Sequence, residues 1–124
     1  MTAEPQPGKI RRLTKRAQFL AASRGQRAGR GAFSLQAIAV DDEQAGIGLT
    51  VTKKTGNSPE RNRIKRRLRA AARACGPQFH AQHDYVLVGR REALSLPFAK
   101  VVADLSSAIA KVHAAPRDPG SQRP

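Results

Sequence analysis

The 124-residue sequence holds a single cysteine, no tryptophan, one tyrosine and only 4% aromatic residues. One cysteine excludes an internal disulfide and a multi-cysteine metal site. Cys75 falls on an apolar stripe and reads as a small core residue. Carboxylates are scarce too, nine against 23 Lys and Arg, so a protein-borne two-metal nuclease centre has almost nothing to be built from. There is no Walker loop, no GxGxxG and no arguable nucleophile–base pair. His80 and His83 have a spacing that can seat a metal, but no remaining ligands are identifiable; they read as a surface loop, and no metal site is assigned. Met1 to Ile10 contains no apolar signal-peptide core. No apolar run approaches the roughly 18 residues that cross a bilayer, so a cytoplasmic protein is expected.

What the sequence has in excess is positive charge. A net charge of +14 and a pI near 11.6 exceed the needs of solubility and imply an acidic partner, most simply nucleic acid. An anionic membrane is the other candidate, but the basic helix described next has too slight an apolar face, without Trp or Phe, for an interfacial helix. The length fits one domain with a modest core, since 40% of residues are hydrophobic and many of these are Ala. Residues 1–8 and 114–124, rich in Pro and Gly, are expected to be disordered tails around a single domain spanning 9–113.

The charge is concentrated between Lys53 and Cys75. Lys53 to Asn57 reads as a loop in which Gly56 and Asn57 tolerate positive φ. Ser58 is the expected N-cap, Pro59 suits the first helical turn, and Glu60 complements the helix dipole. Gly76-Pro77 ends the helix. Ile64, Leu68, Ala71, Ala72 and Cys75 form one narrow apolar stripe at helical spacing. Seven of the thirteen positions from 61 to 73 are basic and none is acidic. Arg61, Lys65, Arg69 and Arg73 form an i, i+4 row of like charge that destabilises an isolated helix. A helix that only needed solubility would mix signs. This is therefore a polyanion-binding face, and the excess of Arg over Lys favours bidentate contacts to phosphate and base edges.

Elsewhere, Thr14 is expected to cap a helix over Lys15–Ser23 carrying Phe19, which either packs in the core or stands exposed for stacking. The Arg- and Gly-rich segment 24–31 predicts a turn and a short edge strand. Phe33–Val40 reads as a strand, Asp41–Gln44 as its turn, and Ala45–Thr52 as the return strand. On that strand Gly46, Gly48, Thr50 and Thr52 make a small, polar face, open to close approach by a ligand or to solvent. Tyr85–Val88 predicts a buried strand and Pro97–His113 an amphipathic helix. The class is α+β: a two-layer sandwich in the order αβββαβα, with helices on one face of a mixed sheet. Ala45–Thr52 and Tyr85–Val88 should run parallel through a βαβ crossover.

Gly48-Leu49-Thr50-Val51-Thr52-Lys53-Lys54-Thr55-Gly56-Asn57, followed by Arg61-Asn62-Arg63-Ile64-Lys65-Arg66 and Arg69, resembles the signature of the bacterial ribonuclease P protein component. Leu13, Phe19, Phe33, Asp84-Tyr85-Val86 and Phe98 extend the resemblance to both sides. It implies a left-handed βαβ crossover, against the usual rule. It also implies a non-catalytic protein subunit whose RNA partner carries the active site and its Mg²⁺. The substrate would be precursor tRNA, hydrolysed at one phosphodiester to release the 5′ leader. Lys53, Lys54, Asn57, Arg61, Asn62, Arg63, Lys65, Arg66, Arg69 and Arg73 would then face RNA. Phe19, Gln36 and Thr50 would line a cleft for the single-stranded leader. Ser23 and Gln36 stand where many members carry aromatics, and Gln18 where an acid is common, which shifts leader grip toward Phe19 and charge. A ribosomal-type RNA-binding protein is the alternative; Gly76-Pro77 and the lack of heptads argue against a zipper-type DNA reader.

Overall fold

The computed structural model describes residues 10–114; the tails expected at 1–8 and 114–124 lie outside the described residues, except that Ala114 is the last residue of the C-terminal helix. In chain order the elements are β1 (Arg11–Arg12), α1 (Arg16–Ala22), β2 (Gln26–Gly29), β3 (Phe33–Ala39), β4 (Gly46–Thr50), α2 (Ser58–Ala74), β5 (His83–Gly89) and α3 (Phe98–Ala114). Short 3₁₀ turns occupy Lys53–Thr55, Gly76–Gln78 and Arg91–Leu94. The expected order is present, preceded by β1. That strand is missed by pattern because it is two arginines long. It is tied to β4 by Arg11 N–H donating to Ala45 O at 2.8 Å and Leu13 N–H to Ile47 O at 3.0 Å.

The sheet order is β1-β4-β5-β3-β2. β4 and β5 pair in parallel, from Gly46 opposite Asp84 to Thr50 opposite Val88, as the crossover requires. One expectation fails: β4 is not the return strand of a hairpin with β3. β5 lies between them, antiparallel to β3 from Phe33 opposite Gly89 to Ala39 opposite His83. Residues Tyr85, Val86 and Leu87 are all buried, and a strand buried on both faces belongs at the centre of a sheet. The acidic loop at 41–44 therefore crosses the end of β5, where Val40 N–H donates to Gln82 O. Asp42 and the buried Asp84 together hold Arg11, at 3.1 and 2.6 Å.

The two faces of the sheet are covered unequally. Phe33, Leu35, Ala37, Tyr85 and Leu87 point to one side and pack with Ile64, Leu68 and Cys75 of the α2 end and with Val101, Leu105 and Ile109 of α3. α2 and α3 thus form the expected helical layer. α1 does not join it. Its Ala22 and Phe19 pack with Leu13, Val86, Ile38 and Val88 on the opposite face, so the short helix covers part of the second side. The side chain of Gln18 secures the start of α1, its amide oxygen accepting from the Thr14 and Lys15 N–H groups at 3.0 and 2.9 Å. Gln18 thereby does the capping work a carboxylate could do at this position.

α2 is capped one residue before the expected position. Asn57 is the N-cap; its Oδ1 accepts from Glu60 N–H at 2.9 Å, while Glu60 Oε1 accepts from Asn57 N–H at 3.0 Å. This reciprocal capping box satisfies two otherwise orphan donors. Neither Gly56 nor Asn57 enters the left-handed region; Gly56 is extended, with φ 164°. Glycine leaves room there for two side-chain ends, since a Cβ would lie 2.6 Å from Glu60 Oε1 and 2.8 Å from an Arg91 nitrogen and would displace them. Those two side chains form a bidentate pair at 3.0 and 2.7 Å. Hydrogen bonding from Arg91, then from the Asn57 backbone, holds the Glu60 carboxyl down at about 2. A depressed carboxyl stabilises the fold above its unfolded pKa and loses that contribution as pH falls through the folded value. Glu60→Gln is therefore expected to destabilise the protein fully above about pH 4.5, with the difference from the parent shrinking toward pH 2. Urea unfolding of both proteins across this range checks it; a difference that does not change with pH would contradict it.

Candidate nucleic-acid interface

α2 presents to solvent the side opposite its apolar stripe. Ile64, Leu68, Ala71 and Ala72 are buried, while Asn62, Arg63, Arg66, Arg69 and Arg73 are exposed and Lys65 is half-buried. Among the described residues the ion pairs involve Arg11, Arg91 and Lys100 only. No α2 cation is paired with a carboxylate. The one acid of the helix, Glu60, is taken by Arg91 from another element. Five cations at 63, 65, 66, 69 and 73 thus share a surface with no internal counter-charge, a high-potential patch for a polyanion.

The remaining predicted residues divide by local geometry. Lys53 and Lys54 are exposed in the 3₁₀ turn that leads into α2, beside a helix N-terminus whose N–H groups favour phosphate. Asn57 is exposed but its carbonyl oxygen is committed to the cap. Arg61 folds back, donating to Gly56 O at 2.8 Å and Ser58 Oγ at 3.2 Å, and so shapes the loop while remaining partly accessible. Arg67 turns inward and donates to Leu96 O, joining α2 to the segment before α3. Cys75 is fully buried, and burial pushes its thiol up, as suits a packing residue.

Beside the basic face lies a groove of about 430 Å³ between the β1–β4 edge and α2, lined by Ile10, Arg12, Ile47, Lys65, Arg69 and Arg73, among others. Arg12 extends the cationic surface onto the sheet edge. Sequence reasoning missed it because Arg11 and Arg12 sit in a segment without periodicity. Only the run of adjacent arginines signalled them.

The second predicted group comes together on the α1 face. Gly48, Val86 and Gln36 form one cross-strand row, and Thr50, Val88 and Ser34 the next. Phe19 stands over the first: a Cβ at Gly48 would lie 2.6 Å from the end of its ring. The small face of β4 therefore admits the close approach of the protein's own aromatic. Phe19, Gln36 and Thr50 are each half-exposed, and the neighbouring Leu20 is 48% exposed. The result is a shallow floor with an aromatic edge, and Arg27, opposite Gln36 on β2, carries the first row on to an exposed cation. Ser34 and Val88 belong to this floor although sequence reasoning did not name them.

The ribonuclease P family profile matches residues 8–113. The ribonuclease P protein component of Ruegeria pomeroyi is 44% identical over 107 residues, covering 82% of this chain and 86% of the relative. That of Erythrobacter litoralis is 40% identical over 112 residues, covering 90% and 93%. The RNase P protein of Thermotoga maritima superposes with a TM-score of 0.69 at 22% identity, over 85% of this chain and 97% of its own, and so speaks for the fold. With the basic residues of the signature standing on α2 and the loop before it, the chain belongs to the ribonuclease P protein component family.

Proposed function

We propose that this subunit of ribonuclease P assists the RNA-catalysed removal of the 5′ leader from precursor tRNA by holding two RNAs on two surfaces. The catalytic RNA takes the cationic side of α2, with Lys53 and Lys54 reaching neighbouring phosphates. The single-stranded leader takes the α1 face of the sheet, stacking on Phe19 and running over Gln36 and Thr50. The observation that carries this reading is the run of unpaired cations on α2, which only an outside polyanion can neutralise. A flat floor with one aromatic edge, bordered by Arg27 opposite Gln36, suits a single strand, whose bases stack without sequence preference.

The chemistry belongs to the RNA in this reading. The interface has no oxygen-rich set of side chains for Mg²⁺, which prefers carboxylates, phosphates and water, because Glu60 is engaged by Arg91. No protein residue is therefore assigned to the metal, and the protein's part is to bind, align and screen charge. Placement in the cytoplasm follows from that role; among the described residues no helix is long and apolar enough to cross a membrane.

The direct test adds the full chain to catalytic RNA and precursor tRNA at low Mg²⁺. Cleavage should be stimulated, and unstimulated cleavage would overturn the proposal. Arg66→Ala is expected to weaken binding to the RNA subunit and to lower the slope of log K against log salt by roughly 0.7–0.9, the share of one phosphate contact. An unaltered slope would remove Arg66 from the interface. Phe19→Ala is expected to weaken leader-bearing substrate by about 1–3 kcal/mol and leave leaderless tRNA nearly unaffected. Equal losses on both substrates would mean that Phe19 serves only to pack α1 on Gly48.

A further inference from the structure

The fold brings together three histidines that the RNA interface does not use. His80 and His83 flank a tight reversal in which Gln82 adopts φ 63°, and His113 arrives from the last turn of α3. One candidate ligand atom from each ring lies within 4.8 Å of those of the other two. The His80 and His113 rings stack at 3.5 Å, and His83 meets His113 edge-on at 4.6 Å. No cation of the described residues pairs with an acid here, and the buried Asp84 next to His83 faces Arg11 instead.

Two of the rings are already oriented from behind. His83 Nδ1 lies 3.0 Å from Ala81 O, which fixes a proton on that nitrogen and leaves Nε2 with its lone pair. His113 Nε2 lies 2.6 Å from the Tyr85 hydroxyl. That oxygen also accepts from the His80 backbone N–H at 2.8 Å; in the tautomer where His113 Nε2–H donates to the hydroxyl, Nδ1 keeps its lone pair for a metal. A carbonyl or hydroxyl behind an imidazole, as His83 and His113 have, is the arrangement that orients histidine ligands at metal sites. Beside the cluster, a cavity of about 260 Å³ bordered by His83, His113, Gln26 and Ile38 leaves room for a water ligand.

We propose that His80, His83 and His113 form a site for one divalent transition-metal ion of the Zn²⁺ class, completed by water. Three neutral imidazoles suit Zn²⁺, Ni²⁺ or Cu²⁺ and not Mg²⁺, so the site is chemically separate from the ions the RNA would hold. Around a tetrahedral Zn²⁺ with bonds of about 2.1 Å, ligand atoms sit about 3.4 Å apart. Closing from 4.8 Å requires the stacked His80 and His113 rings to rotate out of their stack toward a common centre. The bound ion would tie the loop before β5 to the end of α3, two segments otherwise joined at this corner through Tyr85.

The test uses the full chain, stripped with chelator and titrated with Zn²⁺ alone by calorimetry, and with Co²⁺ followed by visible absorption. The expected result is one ion per chain, a tetrahedral Co²⁺ spectrum and a higher melting temperature with Zn²⁺. His83→Ala and His113→Ala should each weaken Zn²⁺ binding at least about tenfold and abolish both the spectrum and the thermal shift. Should His113→Ala loosen α3, His80→Ala, in an exposed loop, removes a ligand without touching the core and should give the same loss. Absence of stoichiometric binding, or affinity unchanged in the His80→Ala and His83→Ala variants, would overturn the proposal.

Discussion

α2 has to satisfy two conflicting demands, and the rest of the structure is arranged around them. Its sequence crowds like charges at i, i+4 spacing, which disfavours the isolated helix. It stays helical because a narrow stripe, Ile64, Leu68, Ala71, Ala72 and then Cys75, is driven into the core against the sheet and α3. Its ends are also held, at the start by the Asn57–Glu60 capping box and the Arg91 clamp. At the other end the Gly76–Gln78 turn stops it. Burying more of the circumference would bury arginine. Arg67 shows how costly that is: its outer nitrogen reaches Leu96 O, but its Nε is enclosed without a partner. The helix therefore keeps a wide charged side in water, and the fold presents that side.

Much of this was legible in the sequence. The apolar stripe of α2, its charged side, its stop at Gly76-Pro77 and the parallel pairing of β4 with β5 all follow from periodicity and turn chemistry. Long, strongly periodic segments carry that information within themselves. Sheet order does not. β3 and β4 read as a hairpin because an acidic four-residue loop joins two alternating strands, yet β5, far along the chain, has the more completely apolar run and claims the centre. The face chosen by α1 was hidden for a related reason. Seven residues hold too little periodicity to say which side of a sheet they cover, and the answer lay in Gly48, whose missing Cβ makes space for Phe19.

The candidate site was legible to a similar extent. Exposed arginines on one side of a helix can be counted from spacing alone, so Arg63, Arg66, Arg69 and Arg73 were found. Arg61 was found too, though its hydrogen bonds to Gly56 and Ser58 turn part of it to shaping the loop. Arg12 and the floor residues Ser34 and Val88 were missed because only tertiary neighbours give them meaning. The histidines are the sharpest case. His80 and His83 alone lack a third ligand, and His113, thirty residues on, becomes one only when α3 ends against the start of β5.

The central claim is that the unpaired guanidinium groups of α2 are covered by RNA in the working particle. Arginine-selective chemical modification of the full chain, with and without one equivalent of the catalytic RNA and read out by peptide mass, tests it most directly. Arg63, Arg66, Arg69 and Arg73 should lose most of their reactivity on RNA binding, while Arg24, exposed at the end of α1, should keep its own. Equal modification of the α2 arginines in the free and bound protein would show that RNA is held elsewhere and would contradict the account.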